Sequence, residues 1–113
     1  MNDRTIGVLT AELSDSYQSA VWNGILAESL HGRESVICFL GSRINSPDAQ
    51  EAAANTVYEL ASPANIGGLI VVASAISTYA GRGRVQRLFD AHGSIPKVSI
   101  GVPVTGACSL SVD

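Results

Sequence analysis

The chain has 113 residues, enough for one layered core and too few for separate cofactor and substrate domains. Hydrophobic residues make up 46% and charged residues 15%, which excludes a disordered segment and points to heavily buried strands. Seven Lys and Arg against ten Asp and Glu give a net charge of −3, which disfavours nucleic acid or an anionic membrane surface as a partner.

The opening residues, Met1 to Thr5, lead into a short apolar run without the order of a signal peptide or the length of a membrane span, so a cytoplasmic setting is expected. The first strand is read at Ile6–Thr10, and a helix follows from Ser16 or Tyr17 to Gly32. That helix carries two apolar faces. Tyr17, Val21, Gly24 and Ile25 form one, and Trp22, Leu26 and Leu30 form the other. One face must meet the sheet; the second is a candidate interface with another subunit, so a homodimer is expected.

A second strand is read at Ser35–Leu40, followed by a helix of about 14 residues. Its start is placed at Ser46 as N-cap with Pro47 at the first helical position and Asp48 complementing the positive helix end. Ala53, Val57 and Leu60 are expected to face the core, and the helix stops before Ser62-Pro63. The third strand spans Gly68–Val72. A third helix over Arg82–Ala91 turns Val85, Leu88 and Phe89 inward and closes at Gly93. The fourth strand is Lys97–Ile100, and a turn at Val104-Thr105-Gly106 leads to a weak fifth strand at Ser109–Val112. Cys38 and Cys108, the only cysteines, are read as two reduced, packed thiols.

The first four strands are rich in Val and Ile and do not strictly alternate, so they are expected to be buried on both faces. Alternation of strand and helix requires right-handed crossovers and a parallel sheet. The fold class is therefore α/β, doubly wound, in three αβα layers with about five strands in one domain over residues 1–113.

The chemistry of an enzyme does not assemble from these residues. No Gly-x-Gly-x-x-Gly follows the first strand, so no cofactor of the dinucleotide kind is expected. Thr10 and Ala73 stand where a phosphorylated receiver domain needs acidic residues. No Gly-x-Ser-x-Gly elbow is present, and His31 and His92 sit beside helix-ending glycines, away from Cys or carboxylate partners at metal-ligand spacing. No catalytic and no metal-ligating residues are assigned. Ligands in an open parallel sheet bind at the carboxyl ends of the strands. The small polar residues there, Glu12, Ser16 and Tyr17 after the first strand, Ser42 and Asn45 after the second and Ser74 after the third, are the candidate ligand-binding set.

Several segments carry a resemblance. They are Thr5-Ile6-Gly7-Val8-Leu9, Tyr17 seven residues before Gly24-Ile25, Val36-Ile37-Cys38-Phe39-Leu40, Asn55-Thr56-Val57-Tyr58-Glu59-Leu60, Ser62-Pro63-Ala64-Asn65, Gly68-Leu69-Ile70-Val71-Val72 and Ile95-Pro96-Lys97-Val98-Ser99-Ile100-Gly101. In this order they resemble the first lobe of a type I periplasmic-binding-protein-like domain, the effector domain of the lactose-repressor family, in the branch fused to bacterial signalling modules. The resemblance implies a flavodoxin-like strand order 2-1-3-4-5. It also implies a sugar- or nucleoside-like ligand held between two lobes, with Tyr17, Ser42 and Ser74 as first-lobe contacts. The chain then corresponds to one lobe ending near the hinge, from a sensor that feeds a diguanylate cyclase or histidine kinase. Two alternatives stand beside it: the effector lobe of a transcription regulator, and a non-enzymatic interaction or dimerisation module.

Overall fold

The computed structural model describes residues 5–110. Five strands, β1 (Thr5–Thr10), β2 (Ser35–Leu40), β3 (Gly68–Val71), β4 (Lys97–Ile100) and β5 (Cys108–Leu110), form one sheet in the order β2-β1-β3-β4-β5. All of its pairings are parallel. The helices are α1 (Ser16–Gly32), α2 (Ala49–Ala54, continuing as a 3-10 segment over Asn55–Leu60), the single turn α3 (Ala73–Ile76) and α4 (Arg82–Ala91). The chain runs from β1 outward to β2, then crosses back over β1 to β3 and on to β4. Right-handed crossovers in opposite directions place α1 on one face and α2 and α4 on the other.

Strand register assigns the side chains to faces, since neighbours in a parallel ladder point the same way and successive residues alternate. Leu9, Phe39, Leu69 and Val71 point toward α2 and α4, where they join Tyr58, Ile76, Val85, Phe89 and Ile95 in one buried core. Ile6, Val36, Ile70, Val98 and Cys108 occupy the opposite face, with α1.

The sheet order, the strand positions and α4 follow the sequence reading; other details differ. The second helix is capped by Asp48, whose carboxylate accepts from the N–H groups of Gln50 (2.8 Å) and Glu51 (3.3 Å). Ser46 instead accepts from the Asp48 N–H at 3.1 Å, so Ser46 and Pro47 precede the helix. The helix also tightens after Ala54. The Asn55 side chain donates to the Glu51 carbonyl at 3.3 Å, taking the acceptor an α-helical Asn55 N–H would use, and that N–H turns to Ala52. The change of period rotates the inward positions. Tyr58 is buried and Val57 half-buried, while Ala53 and Leu60, expected in the core, are exposed.

Further corrections concern the sheet edges. β2 is not buried on both faces, since Ile37 and Leu40 are exposed, and the weak fifth strand, β5, is exposed throughout. Cys108 is exposed rather than packed, Cys38 is half-buried, and both are free. The fifth strand begins at Cys108, and the expected residues Ser111 and Val112 lie outside the described residues. Helix α1 ends on Arg33 in the left-handed conformation (φ 62°), its N–H reaching the Ser29 carbonyl.

Burial pushes the Tyr58 phenol well above its ordinary range and raises the Cys38 thiol as well. Both groups therefore keep their protons in the folded chain at a pH where the unfolded chain has lost them. Their stabilisation is complete below the unfolded-chain values of about 8.5 and about 10, and is lost as pH rises beyond them toward the folded values. Urea denaturation is expected to show stability declining above about pH 8.5, slightly for the half-buried Cys38, whose effect solvent screens, and above about pH 10 by up to roughly 1.4 kcal/mol per pH unit for the buried Tyr58. Tyr58→Phe removes the upper part of that decline; a flat profile through this window contradicts the burial of both groups.

Candidate functional site

The carboxyl end of β1 is organised by one buried side chain. Asp15 caps α1, its carboxylate accepting from the Gln18 N–H at 3.1 Å. This turns Gln18 inward beneath the β1 end, where its Oε1 accepts from the Ala11 N–H (2.8 Å), the Glu12 N–H (3.0 Å) and the Thr10 hydroxyl. The loop leaving β1 is thereby fixed, and Glu12 is held at the rim.

From this base a cavity of about 380 Å³ opens between the start of α1, the loop after β2 and α3. Glu12, Asp15, Tyr17, Arg43, Ser74 and Thr78 line it. The Tyr17 hydroxyl lies 3.2 Å from the Ser74 hydroxyl, closing one side. On the other, the Arg43 guanidinium donates to Glu51 at 2.8 Å and stands 4.0 Å from the Glu12 carboxylate. Gly101, at the end of β4 with φ 92°, leaves the space that Ser74 uses; a Cβ there would stand 2.4 Å from the serine.

The cavity brings together Glu12, Tyr17 and Ser74 of the predicted set. Ser16 is exposed at the first turn of α1 and does not line it. Ser42 and Asn45 serve the loop itself. Both adopt left-handed backbone conformations (φ 61° and 62°), a costly geometry for residues with a side chain. Three bonds hold them there: Tyr58 donates to the Ser42 carbonyl at 2.6 Å, Asn45 Nδ2 donates to the Tyr79 carbonyl at 3.3 Å, and the Asn45 N–H donates to Asn55 Oδ1 at 3.3 Å. Their contribution is to aim Arg43, which lies between them.

Arg43 and Thr78 were not singled out in the sequence. For Arg43 the signal was present, an arginine three residues past the end of β2, where an α/β sheet places its ligands. Of the predicted interface residues, Trp22 is half-buried, while Leu26 and Leu30 are exposed.

The two histidines lie elsewhere. His31 is exposed at the far end of α1. His92 is buried on the α4 side, its ring nitrogens 2.8 Å from the Leu88 carbonyl and 3.0 Å from the Tyr58 carbonyl. No group of His, Cys, Asp and Glu suited to a metal ion occurs among the described residues. None of their helices is long and apolar enough to cross a membrane. The arrangement offers carboxylate acceptors, a guanidinium donor and hydroxyls of either role, which is the chemistry of hydrogen bonding to a polyhydroxylated or heterocyclic ligand. No family model matches the chain, and no curated protein matches its sequence.

Proposed function

We propose that the chain is a non-catalytic, small-molecule-sensing lobe, with its ligand site at the carboxyl edge of the sheet between Glu12, Tyr17, Arg43 and Ser74. The observation that carries this reading is the convergence of those side chains, from three separate segments, on one polar cavity at the sheet edge. Its support includes the strand order 2-1-3-4-5, the order implied by the resemblance to a binding-protein lobe. In this reading a second lobe closes over the same edge and a sugar- or nucleoside-like ligand is sandwiched between them. Closure then drives a cytoplasmic signalling output such as a diguanylate cyclase or histidine kinase. Both ring nitrogens of His92 face carbonyls on the α4 side, so this imidazole does not serve as a base for Ser74.

A single wall of such a site binds weakly. Calorimetric titration of the chain with ribose and with adenosine is expected to give a Kd on the order of 1 mM for at least one of them. The double substitution Tyr17→Phe, Ser74→Ala removes two hydroxyls from the cavity and is expected to weaken that binding about tenfold. Absence of binding by both compounds, or binding untouched by the double substitution, contradicts the assignment.

A further inference from the structure

We infer that the seam between the 3-10 segment after α2 and helix α4 is a docking surface for an acidic segment of another protein, one that offers a single large apolar side chain flanked by carboxylates. A pocket with an apolar floor and a pair of exposed arginines meet there.

The pocket is about 230 Å³ and is lined by Ile44, Asn55, Tyr58, Arg84, Arg87 and Leu88. Ile44 and Leu88 are half-buried where they pack on the core, and so leave apolar surface open to it. The polar atoms of its other walls are already committed. The Asn55 amide donates to the Gly41, Arg43 and Glu51 carbonyls, and the Tyr58 hydroxyl donates to the Ser42 and Thr10 carbonyls. What the pocket offers a charged partner is therefore the guanidinium groups of Arg84 and Arg87. Small-molecule sites ordinarily take about 300–1,000 Å³. The smaller volume here suits one Leu- or Phe-sized anchor, the unit that dominates binding at protein interfaces.

The arginines are placed against local stability. Three of the chain's seven basic side chains, Arg82, Arg84 and Arg87, fall in the first six residues of α4. That first turn has no acidic residue, and Gly81 supplies no side-chain cap. The helix dipole favours carboxylates at this end and cations at the other, so stability of the helix does not explain the choice. Arg84 and Arg87, three residues apart, share the face toward the pocket, and both are exposed. Glu51 is held by Arg43 at 2.8 Å, and Asp90 accepts from Gln86 at 3.0 Å. Among the described residues neither arginine has a carboxylate within 4.0 Å.

Charge complementarity selects the occupant. The chain carries −3 overall, but charges more than about 8 Å away are screened at physiological salt, so the arginine pair governs the local field. Guanidinium groups bind carboxylates through paired hydrogen bonds. The apolar floor beside them adds burial that a nucleic-acid backbone does not use. Tyr79, 46% exposed, borders the same surface through Asn45, whose Nδ2 donates to its carbonyl at 3.3 Å. Exposed Tyr and Arg are the residue types that carry most binding energy between proteins. The larger groove beside α1, about 930 Å³ and floored by Ile70, Val98 and Cys108, lies on the opposite face of the sheet. It mixes Glu28 and Glu34 with Lys97 and so selects no charge.

The test is a titration of the ¹⁵N-labelled chain with the end-blocked pentapeptide Glu-Asp-Phe-Asp-Glu. The expected result is a set of saturable amide shifts at Ile44, Tyr58, Arg84 and Leu88, with a Kd on the order of 1 mM. The same peptide with alanine in place of phenylalanine is expected to bind at least about tenfold more weakly. The Arg84→Glu, Arg87→Glu double variant changes two exposed positions to residues that suit the start of a helix, so it is expected to keep the wild-type circular dichroism. This variant is expected to bind the acidic peptide at least about tenfold more weakly and to gain binding of Lys-Lys-Phe-Lys-Lys. Absence of saturable shifts at these residues up to about 10 mM acidic peptide overturns the inference. Binding indifferent to the phenylalanine, or tighter binding of a uridine hexanucleotide, overturns it as well, because the surface then reads charge alone.

Discussion

Tyr58→Ala is expected to destabilise the chain by about 3–5 kcal/mol, the range for deleting a fully enclosed aromatic ring. A chain of this size has a total stability on the order of 10 kcal/mol, so the loss is a large share of it. Tyr58 is only 2% exposed, and its ring fills the space above Gly41 so closely that a Cβ on that glycine would stand 2.5 Å from it. Its hydroxyl donates to the Ser42 carbonyl at 2.6 Å and the Thr10 carbonyl at 3.2 Å, tying the ends of β1 and β2 together. Tyr58→Phe separates the two contributions. The Thr10 carbonyl still receives the Gly41 N–H at 3.2 Å, so mainly the Ser42 bond is lost, at a cost of about 1–2 kcal/mol. Urea midpoints at pH 7 check both values; a Tyr58→Ala loss below about 1 kcal/mol means that the 3-10 segment does not pack as described.

Gln18→Leu is expected to cost about 2–3 kcal/mol although it replaces a polar side chain by an apolar one of similar size in a buried position. The substitution removes the acceptor shared by the Ala11 and Glu12 N–H groups and the Thr10 hydroxyl. A buried donor left unpaired costs about 1–3 kcal/mol, which outweighs the gain from the added apolar surface. The Ala11 position is closed to water, so its amide carries most of the loss, whereas the half-buried Glu12 is partly rescued by solvent. Because the same bonds fix the β1 loop, hydrogen exchange at Ala11 and Glu12 is expected to accelerate more than at Val8 in the strand centre. Unchanged exchange at these amides, with stability within about 0.5 kcal/mol of wild type, contradicts this role for Gln18.

The contrast between these residues and the strands explains what could be read from the sequence. Strand positions follow from runs of Val, Ile and Leu, and α4 from the spacing of Val85 and Phe89, because burial of apolar surface repeats along the chain. Alternation of strand and helix with crossover handedness gives a parallel, doubly wound sheet, and the order 2-1-3-4-5 is what the resemblance to a binding-protein lobe adds. Gln18 was harder, since a glutamine at the start of a helix ordinarily reads as solvent-facing. The available signal was its place on the inward stripe with Val21 and Ile25, three and seven residues on. The tightening after Ala54 depends on Asn55 finding the Gly41 carbonyl at 2.7 Å and the Arg43 carbonyl at 3.1 Å, contacts that exist only once β2 and its loop are folded. Local propensity does not contain that information, so a regular helical period points Ala53 and Leu60 inward where the folded chain buries Tyr58.

The candidate site divides along the same line. Glu12, Tyr17 and Ser74 follow from the rule that α/β sheets bind at their carboxyl edge. Ser42 and Asn45 obey the rule in sequence but sit in the left-handed loop that aims Arg43, Asn45 held through its side-chain amide and Ser42 through its backbone carbonyl. Polar residues after a strand serve a ligand or a turn, and the choice is made by neighbours distant in sequence, here Tyr58, Asn55 and Tyr79.

The central claim is that the polar cavity at the carboxyl edge, rather than the larger apolar groove beside α1, takes the small ligand. The most direct measurement is a titration of the ¹⁵N-labelled chain with adenosine followed by amide chemical shifts. The predicted result is a set of saturable shifts at Glu12, Tyr17, Arg43, Ser74 and Thr78, with Ile70 and Val98 unmoved. Shifts centred on Ile70, Val98 and Cys108 would contradict the claim and place the ligand in the groove.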